Sequence, residues 1–279
     1  MTQPFLKWPG GKRWLSSRVS ALITQESFDR YYEPFLGGGA VFFALKPEQA
    51  ILSDINPALI ETYEQVRRDP TAIAERLSEI PIDSTTYYRM RSERPGSALD
   101  RAIRFLYLNR TAFGGMYREN MRGEFNVPFG GGDRTPELLW RTTILTQASE
   151  ALCSAKLLSG DFEEIVSKAK QGDVVYCDPT YNTPSKRGPF RRYNGTRFTW
   201  EDQERLASVA FQASERGALV LVSNDDSYDI RKLYSSIKRL QFERASCLSA
   251  KLAGRRKIRE TLYILHPKGS SQSMLTYDA

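Results

Sequence analysis

The 279-residue chain is poor in the residues that usually hold metals or form disulfides, with one histidine and three cysteines. The single histidine, His266, excludes histidine-rich metal sites and argues against a histidine-based catalytic triad. Cys153, Cys177 and Cys247 have neither metal-ligand nor disulfide spacing, which indicates reduced thiols. We therefore expect neither a metal centre nor a disulfide framework.

Long hydrophobic runs, internal repeats and low-complexity tracts are also absent from the sequence. No apolar run could span a membrane and no signal peptide begins the chain, so we expect a cytoplasmic protein without a membrane partner. Hydrophobic residues make up 41% of the chain, which suits a globular protein with a sizeable core. The formal net charge of +7 favours a polyanionic partner, although it is equally consistent with a merely soluble basic surface.

The stretch 174–181 contains a strand-like run followed by an acid, a proline and an aromatic residue. Residues 174–177 favour a buried strand. Asp178, Pro179 and Tyr181 follow where it ends, and open α/β sheets bind ligands outside the carboxyl ends of their strands. A carboxylate, a carbonyl freed from the sheet ladder and a stacking ring suit a nucleobase with an exocyclic amine. An ordinary strand-to-turn junction explains these residues equally well when they are taken alone.

A glycine-rich turn follows the first predicted strand, 31–35. Gly37 and Gly39 lie between that strand and a predicted helix, as in folds that bind nucleotide-bearing cofactors. Phe42 stands at the third glycine position of the dinucleotide fingerprint, which argues against an oxidoreductase that uses NAD or FAD.

An acid, Asp54, ends the next predicted strand, 50–53. An acid at this position usually holds a pair of ribose hydroxyls. The alternative is an N-cap for the helix that begins at Pro57.

The N-terminal segment 5–12 places Trp8 and a Pro-Gly-Gly turn before Lys12. Glycines allow a close approach of the backbone to a ligand, and amides at a helix start attract negative charge. The spacing of a Walker loop is missing, and Trp8 packed on the core is the alternative.

Two basic segments are candidates for nucleic-acid contacts. The stretch 109–130 interleaves arginines with aromatics and glycines, which suits a loop that contacts phosphates and inserts side chains into a duplex. A hairpin with a solvated basic face is the alternative. The basic loop 251–257, between predicted strands 241–246 and 260–265, is a candidate phosphate clamp, although such loops are usually only solvated.

Together these motifs resemble the Dam-type, alpha-class DNA adenine-N6 methyltransferases over nearly the whole chain. The order is the same, with cofactor motifs first, a target-recognition insert second and a catalytic tetrapeptide last. The run Gly-Glu-Phe-Asn-Val-Pro of that family's recognition hairpin is intact at 123–128. The resemblance implies an α/β fold with a Rossmann-like class I S-adenosylmethionine-dependent methyltransferase sheet and a mainly helical target-recognition insert.

The resemblance also implies a domain scheme. Residues 1–56 and 151–267 form the catalytic, S-adenosylmethionine-binding domain. Residues 57–150 form the recognition insert, with a β-hairpin near 109–130. The tail, 268–279, is expected to be disordered.

The resemblance assigns three groups of site residues. The predicted catalytic residues are Asp178, Pro179 and Tyr181. The predicted cofactor contacts are Trp8, Lys12, Glu33, Pro34, Phe35, Gly37, Gly39, Asp54 and Asp178. The predicted contacts to double-stranded DNA are Lys7, Arg110, Phe113, Met116, Arg118, Asn126 and Pro128, with Lys251, Arg255 and Arg256 as phosphate contacts.

The implied activity is methyl transfer from S-adenosylmethionine to the N6 amine of a flipped-out adenine in duplex DNA, without a metal. GATC or a related short site is the expected target, although Gly114 replaces the family's common asparagine. Thr180 replaces a second proline of the family's tetrapeptide, which loosens the backbone beside Pro179. The alternatives are an RNA or protein methyltransferase on the same core, or a DNA-binding protein without catalysis. The protein-glutamine enzymes place Asn where this chain has Asp178.

Overall fold

The computed structural model describes residues 2–120, 123–132, 134–180, 198–245 and 257–268, which contain both helices and strands. In this part of the chain the strands are β1 (Arg30–Glu33), β2 (Ala50–Asp54), β3 (Ala155–Ser159), β4 (Asp173–Cys177), β5 (Leu219–Asp225), β6 (Lys238–Ala245) and β7 (Lys257–Leu265). The α-helices there are α1 (Ser16–Ile23), α2 (Ala40–Leu45), α3 (Pro57–Arg68), α4 (Pro70–Ser78), α5 (Ser84–Ser92), α6 (Ala98–Thr111), α7 (Pro136–Leu139), α8 (Thr142–Leu152), α9 (Phe162–Val166), α10 (Trp200–Glu215) and α11 (Tyr228–Leu233).

The strands form a mixed seven-stranded sheet in the order β3-β2-β1-β4-β5-β7-β6. Strands β1 and β5 both pair with β4 in parallel, β2 pairs with β3 in parallel, and β7 runs antiparallel to β5 and β6. The strand order reverses between β1 and β4, which makes their carboxyl ends the topological switch point where open α/β sheets bind ligands. The predicted α/β fold is confirmed.

Burial explains which strands the sequence reveals. All five residues of β4 and the first six of β5 are buried, and strands covered on both faces are continuously apolar. Strand β3, which we did not predict, lies at one end of the sheet order and exposes Lys156. Its short, lysine-interrupted sequence lacks the apolar run that marks β4.

The helix starts follow from capping side chains. The side-chain oxygen of Asn56 accepts hydrogen bonds from two backbone amides at the start of α3. Asn56 is therefore the N-cap, and the alternative that Asp54 caps this helix is wrong. Thr199 and Asp202 form a reciprocal capping box at the start of α10, and two acids lie in its first turn.

The described residues divide into two compact units. Unit 1 comprises 2–27 and 36–161, and unit 2 comprises 28–35, 162–180, 198–245 and 257–268. The described part of 57–150 lies in unit 1 and is mainly helical, as predicted for the insert. Among the helices of the described ranges, none has the length and apolar character that crossing a membrane requires. The expected disordered tail lies outside the described residues, apart from Lys268.

Candidate active site

Two acids lie at the carboxyl ends of the strands that flank the switch point in unit 2. Glu33 ends β1, and Asp178 directly follows β4. The register pairs Tyr32 with Val175, so both strands end at the same edge of the sheet. Glu33 is only 2% exposed and its Oε2 accepts a hydrogen bond of 2.7 Å from the Tyr31 hydroxyl. Asp178 is half-buried, so this residue as a whole is less buried than Glu33.

Burial and nearby acids raise the pKa values of the last two side chains of β4, Tyr176 and Cys177. Burial raises the pKa of the Cys177 thiol, and the charges of Asp178 and Glu33 raise it further. Burial and then Asp178 raise the pKa of Tyr176. The Tyr176 hydroxyl shares a hydrogen bond of 3.1 Å with the hydroxyl of Ser223 on β5, which fixes the strand that carries Asp178. Cys177 therefore stays a thiol at neutral pH and cannot act as the nucleophile there.

An aromatic cluster lies just beyond Pro34, which is buried, at the end of β1. The half-buried Phe35 ring stacks on Phe162 with centroids 5.3 Å apart, and it meets Phe198 edge to face at 5.6 Å. The guanidinium carbon of Arg205 lies 4.9 Å from the Phe162 centroid. Sequence reasoning missed Phe162 and Phe198; the available signal was an aromatic residue at the start of a helix after a strand.

In unit 1, the carboxylate of Asp54 braces the glycine turn. Its Oδ2 accepts a hydrogen bond of 2.9 Å from the Gly37 amide, and its Oδ1 accepts one of 3.0 Å from the Asn56 amide. Burial raises the pKa of Asp54 from its ordinary value of 3.8 to about 6, although these amide hydrogen bonds act in the opposite direction. Asp54 therefore has a structural task in addition to any role in binding.

The turn at Gly37 admits no side chain. Its φ is 46°, and a Cβ there would lie 2.6 Å from Cδ1 of Trp8. Trp8 is half-buried and stacks on Tyr117 with centroids 5.5 Å apart, while the Tyr63 hydroxyl donates to the Gly37 carbonyl at 3.0 Å. A flat aromatic wall thus packs directly against the backbone of the turn.

Three further residues complete this edge of unit 1. Gly39 has a φ of 64° and precedes α2, while Lys12 is 4% exposed and donates from Nζ to the Gly10 carbonyl at 3.3 Å. Ile55, directly after Asp54, leaves 52% of its surface exposed. Sequence reasoning missed Ile55, because an isoleucine beside a strand is usually assigned to the core.

In the described part of the predicted recognition hairpin, isolated bridges pair the two arms. Antiparallel bridges join Ala112 with Phe129 and Glu119 with Phe125. The first three residues of the predicted segment, 109–111, form the last turn of α6. We call the remainder, residues 112–129, the recognition segment.

Phe113 and Pro128, near the two ends of the recognition segment, are exposed. Phe113 is 57% exposed, and its amide donates to the carbonyl of Pro128, which is also exposed. Gly114 has a φ of 62°, in the left-handed region that glycine and asparagine tolerate. This backbone geometry explains why glycine can replace the family's asparagine at this position. Met116 lies two residues further on and is half-buried.

Lys7 and Arg110 belong to a group of basic side chains in unit 1. Burial lowers the pKa of Lys7, and the charges of Arg110, Arg134 and Arg13 lower it further. The Lys7 side chain passes over the recognition segment, because a Cβ on Gly115 would lie 2.5 Å from its Cδ. A terminal nitrogen of Arg110 donates to the Phe5 carbonyl at 3.0 Å. The Nε of Arg110 is buried and makes no hydrogen bond within the described residues.

Arg118 and Asn126 face each other across the recognition segment. Arg118 Nε donates to Asn126 Oδ1 at 2.8 Å, and both side chains are half-buried. The predicted site residues Tyr181, Lys251, Arg255 and Arg256 lie outside the described residues, as do residues 182–197. In the ranges that are described, no group of three or more His, Cys, Asp or Glu residues could hold a metal ion.

Comparison with known proteins identifies the family. Residues 8–246 match the model of the D12 class N6 adenine-specific DNA methyltransferases. The chain is 36% identical to the Type II methyltransferase M1.LlaDCHI of Lactococcus lactis subsp. cremoris over 270 residues, covering 93% of this chain and 94% of that protein. It is 34% identical to the DNA adenine methylase of Vibrio cholerae serotype O1 over 278 residues, covering 96% and 98%. It is 33% identical to the DNA adenine methylase of Escherichia coli (strain K12) over 269 residues, covering 94% and 95%. The predicted enzyme class is confirmed, and the chain belongs to the D12 class of N6 adenine-specific DNA methyltransferases.

Proposed function

We propose that this enzyme transfers a methyl group from S-adenosylmethionine to the N6 amine of an adenine that has been flipped out of duplex DNA, at GATC or a related short site. The observation that carries the proposal is the position of Asp178, which follows a buried strand at the topological switch point beside the buried acid Glu33. The family supplies the DNA substrate and the N6 chemistry.

Each unit contains residues that fit the cofactor chemically. In unit 1, Asp54 and the exposed side chain of Ile55 offer an acceptor for ribose hydroxyls and an apolar surface for a flat base. Position 37 requires glycine, because a Cβ there would strike Trp8, which packs against the backbone of the turn. S-adenosylmethionine, when bound, supplies an electrophilic methyl group on a sulfonium centre.

In unit 2, Glu33, Pro34 and Phe35 are proposed to contact the same cofactor. Glu33 offers a negative charge suited to the cofactor's ammonium or sulfonium centre, and its bond from Tyr31 fixes the carboxylate in place. The half-buried ring of Phe35 offers an apolar wall. Lys12 and Gly39 of unit 1 complete the proposed set.

Catalysis is proposed to depend on the acceptors that follow β4. The exocyclic amine of adenine is a poor nucleophile, because its lone pair is delocalised into the ring. The carboxylate of Asp178 and the carbonyl of Pro179 accept hydrogen bonds from the two N–H groups of this amine, which favours a tetrahedral nitrogen with a localised lone pair. Fixed acceptors placed where positive charge develops stabilise the transition state electrostatically. Tyr181 is proposed to stack on the flipped base.

Sequence recognition is assigned to the exposed part of the recognition segment. Arg118 is proposed to read a guanine, Met116 to contact a thymine methyl and Phe113 to enter the stack beside the flipped base. Lys7, which passes over this segment, is a proposed second base contact. Arg110, Asn126 and Pro128 are further proposed DNA contacts, and Lys251, Arg255 and Arg256 are proposed phosphate contacts.

Methyl transfer from labelled S-adenosylmethionine to short duplexes tests this proposal. We expect label on adenine N6 in DNA duplexes that contain GATC, and none on matched RNA duplexes or on DNA in which the adenine of the site is replaced. Cofactor binding measured by calorimetry in the absence of DNA tests the cofactor separately. A wild-type protein that binds S-adenosylmethionine and labels RNA but not DNA would contradict the proposal.

A further inference from the structure

Arg118 and Asn126 are less buried than their neighbours in the recognition segment. Tyr117 is 5% exposed, Phe125 is 7% exposed and Val127 is fully buried, so these three side chains anchor the segment on the protein. Arg118 follows Tyr117, Asn126 lies between Phe125 and Val127, and both are half-buried. Part of each residue therefore remains accessible to solvent.

Asn126 holds Arg118 through two hydrogen bonds. The backbone N–H of Asn126 donates to the Arg118 carbonyl at 3.1 Å, which sets the register of the two arms. The Arg118 Nε–H then donates to the Asn126 side-chain oxygen at 2.8 Å, which sets the plane of the guanidinium. The first bond exists for any residue at position 126, whereas the second requires an acceptor side chain.

This second bond uses the Nε–H of Arg118, so the edge of the guanidinium that carries the two terminal nitrogens is the one that can read a base. An arginine has five N–H donors in one plane, and the bond to Asn126 uses the Nε–H and none of the four on the terminal nitrogens. Two parallel N–H groups from the terminal nitrogens match the O6 and N7 acceptors of guanine. An arginine held this way has less rotamer freedom to lose on binding.

We propose that Asn126 is a positioning residue that fixes the guanidinium of Arg118 for end-on reading of guanine. This inference rests on the proposed function of Arg118 as the guanine-reading residue. It revises the expectation that Asn126 acts by contacting DNA itself, because the oxygen of its side chain is already bonded to Arg118. Asn126 therefore contributes to specificity through Arg118.

The test compares methylation rates on two duplexes, one with the enzyme's site and one with the guanine of that site replaced. We expect Arg118→Ala to reduce the ratio of the two rates by about tenfold to 100-fold, because one bidentate contact is lost. Asn126→Ala should reduce the same ratio, at the same base position, by about threefold to tenfold. Asn126→Asp should retain most of the ratio, since a carboxylate oxygen accepts the same Nε–H bond.

A double variant and a salt titration separate this account from its rivals. In Arg118→Ala/Asn126→Ala the ratio should equal that of Arg118→Ala alone, because Asn126 has nothing left to position. The salt dependence of DNA binding should be the same in Asn126→Ala and the wild type. A flatter salt dependence with unchanged discrimination would make Asn126 a phosphate contact and overturn the proposal.

Asn120→Ala is the matched control, because the Asn120 side chain bonds Glu124 within the same segment. We expect this variant to keep the discrimination ratio. If Asn120→Ala and Asn126→Ala lower it equally, the effect is general loosening of the segment and the proposal fails. If Arg118→Ala leaves discrimination unchanged, the proposed role of Arg118 is the part that fails, and the role of Asn126 falls with it.

Discussion

Two acids at the carboxyl ends of strands, Asp54 in unit 1 and Asp178 in unit 2, have different surroundings in this protein. Both oxygens of Asp54 accept backbone amide hydrogen bonds, and the side chain is only 9% exposed. Asp178 is half-buried and follows β4, all of whose residues are buried. Burial raises the pKa values of the two preceding side chains, Tyr176 and Cys177, and the charge of Asp178 raises them further. The two acids look alike in the sequence, where each ends a strand.

The different surroundings of Asp54 and Asp178 lead us to expect different consequences when each acid is removed. An oxygen that already accepts amide hydrogen bonds holds a turn in shape, and removing it leaves buried N–H groups without partners. An accessible carboxylate at a switch point can meet a substrate amine. We therefore expect loss of Asp54 to affect folding and binding together, and loss of Asp178 to affect mainly the chemical step.

The largest expected effect is on catalysis by Asp178→Ala. Removing a fixed acceptor for the target amine should lower kcat by about 10²–10³-fold or more, as removal of comparable transition-state contacts does. Thermal unfolding should change little. Asp173→Asn, which alters a buried acid at the opposite end of the same strand, is the control and should keep normal kcat in the folded protein. Near-normal turnover in Asp178→Ala would remove the contrast between the two acids.

Asp54→Ala should produce the opposite profile. Two buried amides lose their acceptor, which costs about 1–3 kcal/mol for each group left unsatisfied. Urea unfolding should show this loss, and calorimetry should show weaker S-adenosylmethionine binding. If stability falls and cofactor affinity does not, Asp54 only braces the Gly37 turn.

The pH dependence of stability gives a smaller and independent test of Asp54. Its pKa is raised in the folded protein from 3.8 to about 6, so the folded state keeps the proton over a range where the unfolded state has lost it. The unfolded state therefore binds fewer protons between pH 4 and 6, and the free energy of unfolding falls as pH rises through that window. The full effect amounts to about 3 kcal/mol.

Asp54→Asn isolates this contribution, because the amide does not titrate. We expect the free energy of unfolding of the wild type, relative to Asp54→Asn, to decline between pH 4 and pH 6 and to level off above it. A difference between the two proteins that stays constant with pH would show that Asp54 is not buried as described. Urea unfolding at four or five pH values is sufficient.

The smallest of these effects is expected for Tyr181→Ala, beside Asp178 in sequence. Stacking of an aromatic ring on a base contributes about 1–3 kcal/mol, which is less than the loss expected from removing the carboxylate. Activity on DNA in which the target adenine is already mismatched should recover part of this loss, because such a base leaves the helix more easily. A loss as large as that of Asp178→Ala would assign Tyr181 a role beyond stacking.

Much of the sheet could be predicted from the sequence, because its central strands are buried on both faces. The continuous apolar run of β4 and the acid after it located the candidate catalytic edge. The glycine pattern located the turn at Gly37, since its positive φ and the contact with Trp8 leave no room for a side chain. Strand β3 was missed because an edge position tolerates a charged residue within a short segment.

Contacts between distant side chains could not be predicted. Nothing in the sequence shows that Asp54 bonds the Gly37 amide or that Asn56 is the true helix cap, because several acceptors stand close together there. The bond from Arg118 to Asn126 depends on the register of the recognition segment, which isolated bridges set. Register is a property of the folded backbone and of the anchors that pack beneath it.

The most direct test of the central claim is sequencing of DNA from cells that lack adenine methylation of their own and express either the wild-type chain or Asp178→Ala. We expect N6-methyladenine in the wild-type sample at one short site, GATC or a close relative, and none in the Asp178→Ala sample at equal protein levels. Methyladenine in both samples, or in neither with folded and cofactor-binding protein present, would contradict the account.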